Sequence, residues 1–183
     1  MPLANTHRRQ LRERALEQYG YITTQDAGDL GIPAWALRQL AHRGGLTRRG
    51  HGVYRFDDVP ATDRDEFMEA VLRVGDGAHL VAEAVLALNR LAHVNPHRIK
   101  VGTPRRVRVA VPETIEIVQR TDVPEDLTVY EGIPATTVAH AILEAQGTVM
   151  MDRLADAARE ARERGLLRRR EAGRVFAALG IAE

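Results

Sequence analysis

The stretch GYITTQDAGDLGIPAWALRQLAHRGGLTRRGHGVYRF, residues 20–56, decides the fold of the first third of the chain. Thr23 followed three residues later by Asp26 predicts a capping box at the start of a short helix. Pro33 suits the first position of the next helix, because proline lacks the N–H that the first turn leaves unbonded. Gly44 suits the residue after its end, where a left-handed backbone conformation is common. The stretch therefore predicts two short helices separated by a tight turn.

After these helices the hydrophobic pattern changes from a helical to a strand period. LTRR and GVYRF read as two short strands joined by a turn around Gly50-His51-Gly52. The preceding segment THRRQLRERALEQYG, residues 6–20, has apolar residues at helical spacing, with Thr6 as its cap. The order of helix, short helix, helix and hairpin predicts a winged helix-turn-helix over residues 1–56.

Charge is distributed unevenly along the chain. Residues 1–55 hold nine arginines and four acids, a net charge of +5, whereas the remainder holds 17 basic and 21 acidic residues, a net charge of −4. Arginine supplies 25 of the 26 basic residues, and this excess by itself is a bias of composition. Its concentration in the first segment indicates an anionic partner there.

The predicted partner of this segment is double-stranded DNA. A helix in the major groove presents side chains to base edges, and basic residues around it contact phosphates. Arg38 and Gln39 are the predicted base readers, since arginine pairs with guanine and glutamine with adenine. Trp35 is ambiguous, with half-buried packing favoured over base contact. The alternative is a tri-helical protein-docking unit with solvated arginines. The predicted DNA-binding residues are Thr24, Trp35, Arg38, Gln39, His42, Arg43, Arg48, Arg49 and His51.

A second basic stretch, HRIKVGTPRRVRV at residues 97–109, also lacks acids. It either widens the DNA footprint, contacts an acidic partner protein, or forms the solvated outer face of two strands. The residues of this possible partner or DNA surface are Arg98, Lys100, Arg105, Arg106 and Arg108.

The rest of the chain predicts a second domain, so that the fold class is α+β. Residues 57–63 read as an acidic, proline-containing linker between a DNA-binding domain, 1–56, and a second domain, 64–183. The second domain is predicted as mixed α/β, with a small, mostly antiparallel sheet and helices that close the chain. Its predicted strands are RIKVG, RVRVAV and TIEIVQR and a hairpin that turns at Glu131-Gly132; its last two helices are predicted at 149–164 and 169–179.

The sequence offers few signs of catalysis or of a metal site. It has no cysteine, which excludes disulfides and thiolate metal ligands. An acid-x-lysine nuclease strand would need Lys100, but Arg98 occupies the position of the acid. His93 and His97 are separated by Asn95-Pro96, which prevents one shared helical face. We therefore expect no enzyme activity, no metal and no cofactor.

The sequence also predicts a cytoplasmic location. No apolar run approaches the roughly 20 residues that cross a bilayer. The first residues, MPLANTHRRQLRER, become charged where a signal peptide would be apolar.

Three stretches resemble the AbiEi-type antitoxins of type IV toxin–antitoxin systems. Residues 20–56 are similar to their winged helix, with paired threonines, Leu-Gly-Ile, a basic helix and Gly-x-Gly-x-Tyr. LTVYEGIPATTVAHAILEA, residues 127–145, is similar to a later strand and helix, and residues 155–179 are similar to the closing helices. Two features depart from the family pattern: Pro33-Ala34 replaces a Ser or Thr cap and basic residue, and VAEAVLAL lacks an initial serine.

The resemblance implies a specific function. Such proteins counteract a nucleotidyltransferase-like toxin, directly or functionally, and repress their own operon at inverted repeats. It places Arg38, His42 and Arg43 on the recognition helix, and Arg48, Arg49 and His51 on the wing, with neutralisation after about residue 64.

Two rivals to this antitoxin and autorepressor stay open. One is a stand-alone winged-helix regulator whose second domain senses a ligand or oligomerises. The other is an enzyme, which a cluster of convergent acids in a cleft of the second domain would revive.

Overall fold

The computed structural model describes residues 2–182, which form two compact units. The first unit comprises Met1–Gly75 together with Arg108–Val111, and the second comprises Asp76–Val107 and Pro112–Glu183. No helix in the described part of the chain is long and apolar enough to cross a membrane.

The first unit contains four helices and one antiparallel sheet. The sheet has the strand order β1-β3-β2, and β2 and β3 form the predicted hairpin. The elements are α1 (Pro2–Leu16), β1 (Tyr21–Thr23), α2 (Thr24–Asp29), α3 (Ala34–His42), β2 (Leu46–Gly50), β3 (Val53–Phe56) and α4 (Asp65–Val74).

The core of the first unit is made by side chains from α1, α2, α3 and the sheet. Leu11, Ile22, Leu37 and Phe56 are completely buried within one apolar cluster. Burial of each such side chain contributes about 1.5–3 kcal/mol before the entropy cost of ordering it. The cluster therefore fixes the three helices and the hairpin to one another.

Local signals in this unit are largely confirmed. Thr23 caps α2, and its reciprocal bonds with Asp26 form the predicted capping box. Gly44 follows α3 with a φ of +84°. Two details differ: α1 begins before Thr6, which lies inside the helix, and Pro33 occupies the cap of α3, one residue before the predicted position.

The second unit contains a five-stranded sheet and four helices. Its strand order is β6-β5-β4-β8-β7. The elements are β4 (His79–Leu80), α5 (Glu83–Leu88), β5 (Ile99–Thr103), β6 (Ile115–Gln119), β7 (Leu127–Tyr130), β8 (Ile133–Thr136), α6 (Val138–Glu144), α7 (Met151–Glu163) and α8 (Arg169–Leu179).

The sheet of the second unit is mixed. The pair β7–β8 is the predicted antiparallel hairpin, and β4–β5 is also antiparallel. The pairs β4–β8 and β5–β6 are parallel, so the sheet is less antiparallel than expected. Residues 106–111, predicted as a strand, form none, and Arg108–Val111 belong to the first unit. The predicted turn at Glu131-Gly132 is confirmed, with φ of +47° and +85° at its two residues. The α+β class with an N-terminal helix-turn-helix region is confirmed.

The boundary of the first unit lies beyond the predicted linker. Helix α4, which the sequence analysis assigned to the second domain, packs with the first unit. Arg55 of β3 pairs with Asp65 of α4 at 2.7 Å, and both side chains are largely buried. The functional division into a DNA-binding domain at 1–56 and an antitoxin domain at 64–183 stays a prediction.

Candidate nucleic-acid interface

One face of α3 is open to solvent and carries most of the predicted reading residues. Trp35, Arg38, Gln39 and His42 follow one another at helical spacing and are exposed, whereas Leu37 on the opposite face is buried. Trp35 is 54% exposed, so about half of this residue is accessible to solvent. The helix therefore presents one aromatic, one amide, one imidazole and one guanidinium group outward.

Helix α2, which precedes α3, is anchored through Asp26. This buried carboxylate accepts hydrogen bonds from the Thr23 backbone N–H at 2.9 Å and hydroxyl at 2.6 Å. It also accepts bonds from Gln18 at 3.2 Å and from Arg14 at 3.1 Å. Burial raises the pKa of Asp26, but these hydrogen bonds outweigh it and hold the pKa below its ordinary value. The carboxylate ties the end of the α1 segment to the start of α2.

The wing is the β2–β3 hairpin with its turn at residues 51–52. Arg48 and His51 are exposed, and the Arg48 Nε donates to the Gly50 carbonyl at 3.1 Å. The Thr24 backbone N–H at the start of α2 donates to the Gly52 carbonyl at 2.9 Å. Thr24 itself is half-buried at this junction. The hairpin turn is thereby fixed to the helix-turn-helix.

Arg49 is the one predicted wing residue whose guanidinium is held by an acid. Its Nε and Nη2 both lie 3.0 Å from Oε2 of Glu69, on α4. Glu69 also accepts from the Tyr21 hydroxyl at 2.7 Å and from Arg73 at 2.7–2.8 Å. Burial raises the pKa of Glu69, but the bonds from Tyr21, Arg49 and Arg73 keep it below its usual value. Glu69 is therefore ionised at neutral pH.

The charges of the predicted surface remain available to a ligand. Within the described residues, Arg38, Arg43 and Arg48 form no ion pair, and all three are exposed. An arginine from α1, Arg8, lies beside this surface and stacks on Phe56, with its Cζ 5.9 Å from the ring centroid. A helix and a hairpin that present unpaired arginines can neutralise phosphates while the helix reads bases.

Comparison with known proteins agrees with this geometry. Residues 9–56 match the family model described as a transcriptional regulator, AbiEi antitoxin. No curated protein matches the chain. The AbiEi match supports an antitoxin or DNA-binding regulator, and it ends before α4 begins.

The second basic stretch, residues 97–109, does not form one continuous free patch. Lys100 pairs with Glu83 at 3.0 Å, and Arg105 pairs with Asp76 at 3.0 Å. Arg98 and Arg106 are exposed, and Arg108 is exposed within the first unit. The structure thus brings the α3 and wing residues together as one set and distributes the later basic residues among different surroundings.

The second unit contains a polar network that the sequence did not predict. The buried Asp122 lies 2.8 Å from His79 Nε2 and also binds Arg120. Arg120 in turn contacts Glu144 and donates to His140 Nε2 at 3.0 Å. The pKa of Asp122 is raised by burial but lowered further by its bonds to Arg120 and His79, so the net shift is downward.

This network brings several acidic side chains of the second unit close together. The enzyme hypothesis depends on such convergent acids lying in a cleft. Two of these acids, Asp122 and Glu144, bind the guanidinium of Arg120. The third acid, Asp126, lies 3.2 Å from His140 Nδ1. Among the described residues, no group of three or more His, Asp or Glu side chains is arranged to hold a metal ion. The arrangement is that of a packed ion-pair network.

The residues that sequence reasoning missed at the interface are Arg8, Tyr21, Glu69 and Arg73. The spacing of Asp65, Glu69 and Arg73 at every fourth position was a usable signal, because such residues share one helix face. The partners of Glu69 on the sheet, Arg49 and Tyr21, were not predictable from spacing, since they lie 20 and 48 residues away in sequence.

Proposed function

We propose that this protein is an antitoxin that counteracts a nucleotidyltransferase-like toxin and represses its own operon by binding DNA. The observation that carries the DNA-binding part is the exposed, unpaired set of Arg38, Arg43 and Arg48 on α3 and the wing. The match of residues 9–56 to the AbiEi antitoxin regulators supports the antitoxin part. The second unit then carries neutralisation, directly or functionally, without enzyme activity and in the cytoplasm.

In this proposal α3 lies in the major groove and the wing contacts the backbone. Arg38 and Gln39 read base edges, because their side chains point away from the core and match guanine and adenine. Arg48 and His51 meet phosphates or the minor groove. The binding site is an operator, and the inverted repeats implied by the family resemblance would place two copies of the unit on one duplex.

The test combines an operator gel shift with a growth assay. R38A/R43A removes two charges from the proposed reading face, and R170A/R174A removes two exposed arginines from α8 as a matched control. Each good base contact contributes about 1–3 kcal/mol, so the first variant should weaken binding to the upstream region by about 30-fold or more. The control should bind like the wild type.

The growth assay separates the antitoxin from a simple regulator. Co-expression should rescue cells from the product of the neighbouring gene, and R38A/R43A should keep that rescue while losing repression. A neighbouring gene without toxicity, or failure of rescue by the wild type, would refute the antitoxin part. Equal gel shifts for R38A/R43A and wild type would refute the reading face.

A second candidate is a stand-alone regulator with a ligand-sensing second unit. A cavity of about 400 Å³ in the second unit favours it. Its walls include Asn95, His97, Arg98, Arg153 and the paired Lys100 and Glu83. A small molecule that changes operator affinity of the wild type, together with a harmless neighbouring gene, would support this candidate over the antitoxin.

A further inference from the structure

Two side chains of helix α4 contact the wing, although α4 lies outside the region that matches the AbiEi regulators. Glu69 binds Arg49 of β2, and the Arg73 side chain packs against the next residue, Gly50. A Cβ built on Gly50 would lie 3.0 Å from Arg73 Nη1. The wing is therefore held on one side by the helix-turn-helix and on the other by α4.

The bonds to Glu69 occupy only some of the N–H donors of the Arg49 guanidinium. Glu69 Oε2 takes the Nε–H and an Nη2–H, which is the side edge of the planar group. A guanidinium carries five N–H donors in a fixed fork, so three donors remain, including both on Nη1. The Arg49 side chain is 46% exposed, whereas that of Glu69 is 13% exposed. The buried acid thus holds the arginine from within while its outer edge faces solvent.

Glu69 does not cancel the positive charge of the two arginines that it binds. It is shared by two arginines, Arg49 and Arg73, so the three groups together keep a net charge of +1. The Tyr21 hydroxyl supplies a further hydrogen bond that fixes the carboxylate. A fixed carboxylate that leaves a net positive group at the surface is suited to orienting an arginine.

We propose that Glu69 is a positioning residue for DNA binding, which holds Arg49 by its side edge so that the outer edge contacts a backbone phosphate. This inference rests on the proposed DNA-binding function and adds α4 to the binding module. Pre-ordering a long side chain lowers the entropy cost of forming the contact. The contact carries no sequence information, since phosphates are the same at every base pair.

The test measures the salt dependence of binding by the full chain to two duplexes, one from the upstream region and one of scrambled sequence. Each neutralised phosphate contributes about 0.9 to the slope of log K against log salt. R49A should therefore reduce the magnitude of this slope by about 1. A rise from 50 to 200 mM salt should then weaken the DNA binding of R49A about 3- to 4-fold less than that of the wild type. E69Q should give nearly the same loss of slope on both duplexes.

The double variant and a matched control decide the role of Glu69. If Glu69 acts through Arg49, R49A/E69Q should bind like R49A, because the contact is already lost. E163Q changes the same chemical group at an exposed position of α7 and should bind like the wild type. R49K keeps the positive charge but lacks the forked N–H donors of a guanidinium, so it should bind DNA more weakly than the wild type. This variant tests the inference even if E69Q fails to fold.

The outcomes distinguish this inference from the proposed function. Tighter binding by E69Q would show that Glu69 masks Arg49, and an equal effect of E69Q with and without Arg49 would show a structural role; either result overturns the inference alone. Binding of R49K equal to that of the wild type would also overturn it. A wild type that binds neither duplex would overturn the proposed function and this inference together.

Discussion

Removal of Asp26 should destabilise the first unit far more than removal of Glu17, although both carboxylates bind Arg14. Asp26 is 8% exposed and accepts hydrogen bonds from Thr23, Gln18 and Arg14. D26A would leave the Thr23 backbone N–H and the Arg14 guanidinium without this acceptor. An unsatisfied buried donor costs about 1–3 kcal/mol, and hydrogen bonds to charged groups contribute about 1.5–3 kcal/mol.

Since such terms are not additive, we expect D26A to lower the free energy of unfolding by about 3 kcal/mol. Glu17 binds Arg14 at 2.6 Å, but its side chain is 66% exposed. An exposed pair contributes about 0.2–1 kcal/mol, so E17A should cost less than 1 kcal/mol. The difference between the two variants therefore measures what the buried hydrogen-bond network of Asp26 adds to an ion pair with Arg14.

Urea unfolding followed by tryptophan fluorescence provides the measurement. Trp35 is the only tryptophan of the chain and lies on α3, so its signal reports the first unit. Far-ultraviolet circular dichroism follows both units as a check. Equal costs for D26A and E17A, or a cost below about 1 kcal/mol for D26A, would refute the reasoning that the buried carboxylate joins α1 to α2.

Two further predictions concern acid and the wing. The pKa of Asp26 in the folded protein lies below its ordinary value of 3.8, so its carboxylate stabilises the fold above about pH 3.8 and loses this effect as the pH falls through the lower folded pKa. The difference in unfolding free energy between wild type and D26N, followed by Trp35 fluorescence, should therefore close below pH 3.8. A difference that does not change with pH would contradict this. G52A should destabilise the first unit by about 1–2 kcal/mol and weaken DNA binding, because Gly52 has a φ of +70° and a Cβ there would lie 2.7 Å from Thr24 Oγ1. G28A serves as the control and should be neutral or stabilising, because a Cβ at Gly28 meets nothing within 4 Å. Equal urea midpoints for the two variants would contradict the assigned turn geometry.

The sequence predicted those features that depend on near neighbours. The capping box at Thr23 and the turns after Gly44 and at Gly132 are set by residues within a few positions of one another, and each was predictable. The hairpin of the wing was predictable for the same reason. The exposed face of α3 follows directly from its spacing of apolar and polar residues.

Features that depend on distant pairing were not predictable. Strand β1 has three residues and β4 has two, too few to show an alternating pattern. Residues 106–111 alternate in hydrophobicity, yet part of this segment joins the other unit, and no local rule indicates that. The ion pair of Arg49 with Glu69 spans 20 residues and requires α4 to pack on the wing, so the sequence showed the arginine but not its partner.

The membership of Arg108–Val111 in the first unit has a consequence for the gene as well as for the molecule. The chain passes from one unit to the other three times, at residues 75–76, 107–108 and 111–112. A single recombination point between the two units would therefore transfer a DNA-recognition module without four of its own residues. Exchange of this unit with that of a relative requires two further crossovers, one on each side of residues 108–111, so the two units are expected to be inherited together.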